Sequence, residues 1–341
     1  MAIMAIDKFN FDYTKISVCR TQLMGCATVM ILLCHANGYG VVLPSSLRGL
    51  LIYGNLGVDI FLFLSGFGCY YSLSKTKRIM WFYKRRMFRI LLPYIIVNIF
   101  FLIVDVILQE DISIGQWLFE LSTLSFWLQH KGAWFVALII PVYLISPFIY
   151  KLLQFTSRKL VVCIILIIGV LMLTSHAAYP TTGSQFALID NLQWAFSRSI
   201  SFIVGMYFAS LAMKRQSANV FVIISINVAI FIFLRLVIPS WFRNWCYVIP
   251  MIVILCYLFS IVNKYSFINK VGCWLGTISL ESYLTNVGFK SRMQYILGNM
   301  KTFHVFQGHY LDYCLIVILG LLTAFYINRF VCKINNIISR Q

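Results

Sequence analysis

Two ionisable residues stand inside apolar runs that lipid would be expected to keep free of them. His35 lies towards the far end of CRTQLMGCATVMILLCHANGYG, residues 19–40, and Asp59 lies a few residues into YGNLGVDIFLFLSGFGCYY, residues 53–71. A titratable or charged side chain inside a membrane span costs roughly 2.5–3.5 kcal/mol on insertion scales, so each needs a reason to be there. An imidazole titrates near neutral pH and suits general-base chemistry. The plainer alternative for His35 is a histidine near an interface, bonded to a backbone carbonyl. A carboxylate at matching depth would accept the proton of the other ring nitrogen and fix the tautomer, as in many acyl-transfer sites. The alternative for Asp59 is a brace, since Gly54, Gly57, Gly66 and Gly68 around it favour close helix approach.

A third feature is basic. Lys84-Arg85-Arg86-Met87-Phe88-Arg89 precedes Pro93. Such a run marks a juxtamembrane boundary and touches anionic lipid. It is equally suited to a phosphate ligand, because guanidinium forks match phosphate oxygens. Arg85 and Arg89 are four apart and share a helix face. The other histidines offer no metal site: His130 and His176 are far apart, and His304 and His309 lack the i, i+4 spacing of a zinc pair. H-E-x-x-H, Walker A and G-x-S-x-G motifs are missing from the sequence, which argues against a zinc protease, an ATPase and a lipase-type hydrolase. Asp105 and Glu281 are further acids in or near apolar runs. Trp134, Tyr143 and Trp194 read as interface aromatics or as a substrate platform.

The elements that must position these residues are membrane helices. Of 341 residues, 61% are hydrophobic and 11% charged, against about 45–50% and about 25% in soluble domains. The formal charge of +18 is better explained by membrane orientation than by nucleic acid, since the basic residues cluster between apolar runs. The ten cysteines contain no C-x-x-C and lie mostly in apolar runs, as small buried hydrophobes.

A span needs about 20 apolar residues. Ten segments qualify: 17–36, 49–73, 88–108, 133–152, 160–176, 199–213, 218–238, 246–263, 271–289 and 312–332. The expected fold is an all-α polytopic bundle of about ten transmembrane helices, one domain over 1–341 with no appended soluble domain and no internal repeat. With both termini on one side, twenty of the 28 basic residues fall there. That is a positive-inside bias favouring cytoplasmic termini and an even number of spans. In this orientation Arg20 starts the first span on the cytoplasmic side. His35 lies roughly 22 Å further on, in the outer half, with Asp59 at similar depth or near the middle.

Several separated motifs resemble those of integral-membrane acyltransferase family three, polytopic O-acyltransferases of bacterial surface polysaccharides. They are L-L-C-H-A ending at Ala36, and G-N-L-G-V-D-I-F-L-F-L-S-G-F from Gly54 to Phe67. K-R-R-M-F-R-I-L-L-P-Y runs from Lys84 to Tyr94, and A-W-F-V-A-L-I-I-P-V-Y-L-I-S-P from Ala133 to Pro147. R-S-I-S-F-I-V-G-M opens at Arg198, and I-S-L-E-S-Y-L-T-N runs from Ile278 to Asn286. Two positions depart from the family pattern. Met24, beside Gly25, stands where the family often has a basic residue, with Arg20 one turn earlier; Asn286 stands where the family often has His.

The resemblance implies a membrane O-acyltransferase, most simply an O-acetyltransferase, in the bacterial inner membrane. The donor would be acetyl-CoA or another acyl-CoA, with no bound cofactor and no metal. The acceptor would be a surface polysaccharide or a lipid-linked sugar. His35 would act as base with Asp59 orienting it, and Lys84, Arg85, Arg86, Arg89 and Arg20 would hold the donor's phosphates. Arg198, Trp134, Glu281 and Asn286 remain for substrate or oxyanion contacts. The competing expectation is a proton-coupled transporter of a sugar or lipid-linked glycan, using the same buried pair as a relay.

Overall fold

In the computed structural model, residues 9–41, 43–76, 78–108, 113–175, 187–237, 240–262, 266–299 and 310–338 are described. His176, His304 and His309 lie outside them. The helices, in order, are α1 (Thr14–Val18), α2 (Arg20–Tyr39), α3 (Arg48–Ile52), α4 (Leu56–Lys75), α5 (Ile79–Ile107), α6 (Ile114–Leu121), α7 (Leu124–Gln129) and α8 (Trp134–Phe155). They continue as α9 (Lys159–Ser175), α10 (Ala187–Ser197), α11 (Ser199–Met213), α12 (Val220–Val237), α13 (Val248–Val262), α14 (Ser266–Thr277), α15 (Ser279–Asn299) and α16 (Tyr310–Ile338). A short antiparallel ribbon, β1 (Asn10–Asp12) with β2 (Ser217–Asn219), ties the start of the chain to the α11–α12 connection.

Among the described residues, six helical stretches are long and apolar enough to cross a membrane: Arg48–Lys75, Ile79–Ile107, Trp134–Phe155, Leu188–Met213, Asn244–Val262 and Tyr310–Asn335. The protein is thus a helical, multi-pass membrane protein. The other expected segments also contain helices, but Lys159–Thr174 and Val220–Leu236 are shorter. Helix α2 carries Arg20, Gln22, Thr28, His35 and Asn37 among its apolar residues, so its polarity sets it apart from the six.

The expected segment 271–289 is not one helix. Helix α14 ends at Thr277 and α15 begins at Ser279. Against α2, Gly25 meets Gly272 and Thr21 meets Gly276, in opposite chain senses. Further along, His35 meets Asn286 and Gly38 meets Lys290, in the same sense. The chain therefore changes direction along α2 at about Ile278.

The most extensive helix contact is between α4 and α11. It is made by reciprocal glycines. A Cβ on Gly66 would run into the Phe202 carbonyl, and one on Gly205 into the Phe63 carbonyl. Lipid offers no hydrophobic gain for helix association, so small residues that let backbones touch supply the van der Waals contact instead. Gly54 and Gly57 likewise seat the start of α4 on the Met30 and Ala27 carbonyls of α2, which brings the Asp59 and His35 helices together. Helix α15 is pinned to α5 by a two-pronged ion pair from Arg292 to Asp105, with the guanidinium 4.6 Å from the Phe101 ring.

If this close approach carries the α4–α11 packing, Gly66→Ala and Gly205→Ala should each destabilise the protein by about 1–3 kcal/mol. The effect is read as a lower thermal midpoint in detergent. An unchanged midpoint in both variants would contradict it.

Candidate active site

His35, three-quarters of the way along α2, faces α15. Its Nδ1 is 2.6 Å from Asn286 Oδ1. The surrounding bonds settle which nitrogen carries the proton. A carbonyl can only accept, so the Tyr313 hydroxyl, 2.5 Å from the Leu32 carbonyl, donates to it. The Tyr313 oxygen then accepts from the Asn286 amide nitrogen at 3.4 Å. That turns Asn286 Oδ1, also acceptor-only, towards His35. His35 Nδ1 must therefore be the N–H, which leaves the Nε2 lone pair free to take a proton. Asn286 is buried at 1% exposure and Tyr313 at 6%, so water does not compete for these bonds.

Spacing on α15 extends this face. Tyr283, Asn286 and Lys290 stand three and four residues apart, on one side of the helix. The Tyr283 ring is 5.9 Å from the His35 imidazole. One turn beyond Asn286, the Lys290 ammonium occupies the space a side chain on Gly38 would fill, where its charge reaches both Cys34 and His35. The sequence reading missed Tyr283 and Lys290. Their spacing around Asn286 was the available signal, hidden by treating 271–289 as a continuous span.

Asp59 does not pair with His35. Its Oδ2 accepts from Arg198 Nη1 at 2.5 Å and its Oδ1 from Ser201 Oγ at 3.0 Å. The same Arg198 nitrogen reaches the Asn55 carbonyl at 3.4 Å. Arg198 sits at the break between α10 and α11, with Trp134 and Trp194 each 5.7 Å from its guanidinium carbon. The two indoles are 4.7 Å apart. The Nδ1 partner of His35 is Asn286 rather than the expected Asp59, and Asp59 ties α4 to α11. Trp134 lies against this ion pair, in which Arg198 Nη1 is taken by Asp59 and the Asn55 carbonyl.

A cavity of about 860 Å³ opens beside these residues. Arg20, Lys84, Arg85, Arg86 and Arg89 line one end, and Glu281 is the sole carboxylate in its wall among the described residues. Glu281 is held by Asn328 at 2.9 Å. Arg86 donates to the Gly68 carbonyl at 2.5 Å and lies 5.8 Å from the Phe82 and Tyr143 rings. Arg20 leaves its Nε buried without a partner. The wall then becomes apolar, through Ile31, Val58, Phe61 and Phe135 to Tyr283.

From Arg20 to Ile31 is roughly 16 Å along α2, and His35 stands one turn beyond. His35 is not itself in the wall; Tyr283 is the residue that both lines the cavity and packs on the imidazole. Met24 lines the same cavity as Arg20, so the cation displaced from the family position still serves the same space. A surplus of unpaired positive charge at one end of an apolar passage suits a ligand with an anionic head and a thin, uncharged tail.

The buried ion pair makes a specific prediction. Asp59→Leu alone or Arg198→Met alone leaves one unpaired charge in the bundle and should cost about 3–5 kcal/mol of stability. The double variant should cost less than either single one, as read by thermal midpoints in a double-mutant cycle. Additive losses would contradict the pairing.

A family model described as an acyltransferase domain matches residues 23–329. It thus spans His35, Asp59, the basic end of α5, Arg198 and the whole Tyr283–Lys290 face. Comparison with curated proteins and with solved structures found no match. With nearly the whole bundle under that one match, the chain belongs to acyltransferase family three and is a membrane acyltransferase.

Proposed function

We propose that the protein transfers a short acyl group, acetyl in the simplest case, from acyl-CoA to a hydroxyl of a surface polysaccharide or lipid-linked sugar. The observation that carries this reading is the cavity. It gathers five cations at one end and ends at Tyr283, whose ring is 5.9 Å from the His35 imidazole. CoA has a polyanionic nucleotide and a long, thin, uncharged pantetheine arm, which matches those two halves.

The basic end of the bundle is then cytoplasmic, both termini are cytoplasmic, and the membrane is the bacterial inner membrane. The surplus of basic residues on that side supports the orientation. The acceptor arrives from the opposite face, where Lys290 stands beyond His35.

The transfer proceeds as follows. The acceptor hydroxyl oxygen attacks the thioester carbon while His35 Nε2 takes its proton, and the carbonyl electrons move onto oxygen. Asn286 Oδ1 holds the Nδ1–H and stabilises the imidazolium that forms. As the carbonyl reforms, the C–S bond breaks, and the CoA thiolate recovers the proton from His35. The products are an acyl ester and free CoA thiol. A neutral, correctly oriented base contributes about 10²–10⁴-fold to such a step.

Purified protein in lipid nanodiscs, given labelled acetyl-CoA and acceptor glycan, tests this. His35→Ala should lower transfer at least about 100-fold while CoA still binds. Arg85→Ala and Arg89→Ala should each weaken CoA binding roughly tenfold, the worth of one charge-assisted bond. Full transfer by His35→Ala, or CoA affinity unchanged in both arginine variants, would overturn the assignment.

A further inference from the structure

At the end of the cavity away from the basic cluster, one polar group has nothing to donate to. The Tyr283 hydroxyl is buried, with the residue 5% exposed, and it has no hydrogen-bond partner. The Phe135 backbone amide, in the first turn of α8, addresses the phenol oxygen without completing a hydrogen bond to it. An amide N–H can only address the oxygen, so it leaves the phenol proton free to donate. Burying a hydroxyl without a partner costs about 1–3 kcal/mol, and in a membrane bundle no water from the surrounding lipid relieves it. The ring does not need the oxygen for its packing: its neighbours are the His35 and Phe135 rings, at 5.9 and 6.0 Å.

We propose that the Tyr283 hydroxyl donates a hydrogen bond to the thioester carbonyl oxygen of the acyl donor, and holds that oxygen as it becomes the tetrahedral oxyanion. This rests on the acyl-transfer reading and adds to it the group that stabilises the developing charge. Tyr283 is where such a donor must be: it lines the end of the donor cavity away from the basic mouth, and its ring lies against the base. The two nearby cations outside the basic cluster, Arg198 and Lys290, are placed elsewhere. Arg198 Nη1 is taken by Asp59 and the Asn55 carbonyl, behind Trp134 and Trp194. Lys290 is seven residues further along α15, roughly 10 Å beyond Tyr283 on the axis.

No proton leaves Tyr283 in this role. The hydroxyl bonds weakly to the ground-state carbonyl and more strongly to the alkoxide, so its effect falls on the transition state. The hydroxyl also selects the donor class: it favours an acyl group whose carbonyl reaches the level of His35, which a thioester at the tip of the pantetheine arm would do.

Tyr283→Phe removes the oxygen and keeps the ring. In nanodiscs with labelled acetyl-CoA, kcat should fall about 10²–10³-fold, the usual effect of removing one oxyanion donor. KM for the donor and the Kd for CoA should stay within threefold of the wild type, and the thermal midpoint should be unchanged or higher, since an unpartnered buried hydroxyl is lost. A kcat within threefold of the wild type overturns the inference while the acyl-transfer reading stands. A kcat loss accompanied by a matching loss of CoA binding or thermal midpoint also overturns it, because the hydroxyl would then serve the fold or the binding step. A wild-type protein that neither binds CoA nor transfers its acyl group overturns the inference and the acyl-transfer reading together.

Discussion

Hydrocarbon supplies no hydrogen-bond partners, so a polar group placed inside this bundle must find one within the chain. That constraint organises the interior. Asp59 is matched by Arg198 and Ser201, Asp105 by Arg292, and Glu281 by Asn328. The His35–Asn286–Tyr313–Leu32 chain is satisfied link by link. Each match joins two different helices, so meeting the constraint also fixes the packing. The reciprocal glycines of α4 and α11 then bring the backbones close enough for the Asp59–Arg198 bond to form.

The exceptions carry functional information. Among the described residues, five buried side-chain atoms lack a partner, and two of them, Arg20 Nε and Tyr283 Oη, line the cavity. They sit towards its two ends: an unpaired cation with the basic cluster and an unpaired hydroxyl beside the base. A ligand with a phosphate head and a carbonyl tip would satisfy both. The α15 face continues the order past the base, through Asn286 to Lys290, so a donor from the basic side and an acceptor from the other side would meet at His35.

Much of this was legible in the sequence, because an ionisable residue in an apolar run stands out against its neighbours. His35, Asp59 and the Lys84–Arg89 cluster were all found that way, and each expected apolar segment contains helix. The pairings were not legible. Depth along a span placed Asp59 level with His35, but depth does not say which way a side chain points, and Arg198 lay 139 residues away at a helix break. Asn286 was recognised as a departure from the family pattern, yet its work as the imidazole's partner depends on Tyr313, from another helix. The direction change at Ile278 was missed because apolar composition runs straight through it, and the Tyr283 and Lys290 positions were lost with it.

The central claim is that the cavity delivers an acyl-CoA carbonyl to the free nitrogen of His35. The most direct measurement is an experimental structure of the protein in nanodiscs with a CoA ketone, in which a methylene replaces the thioester sulfur and transfer cannot occur. The account predicts the nucleotide phosphates among Arg20, Arg85, Arg86 and Arg89, and the ketone carbon beside His35 Nε2. A nucleotide bound outside the cavity, or a carbonyl held away from His35, would contradict it.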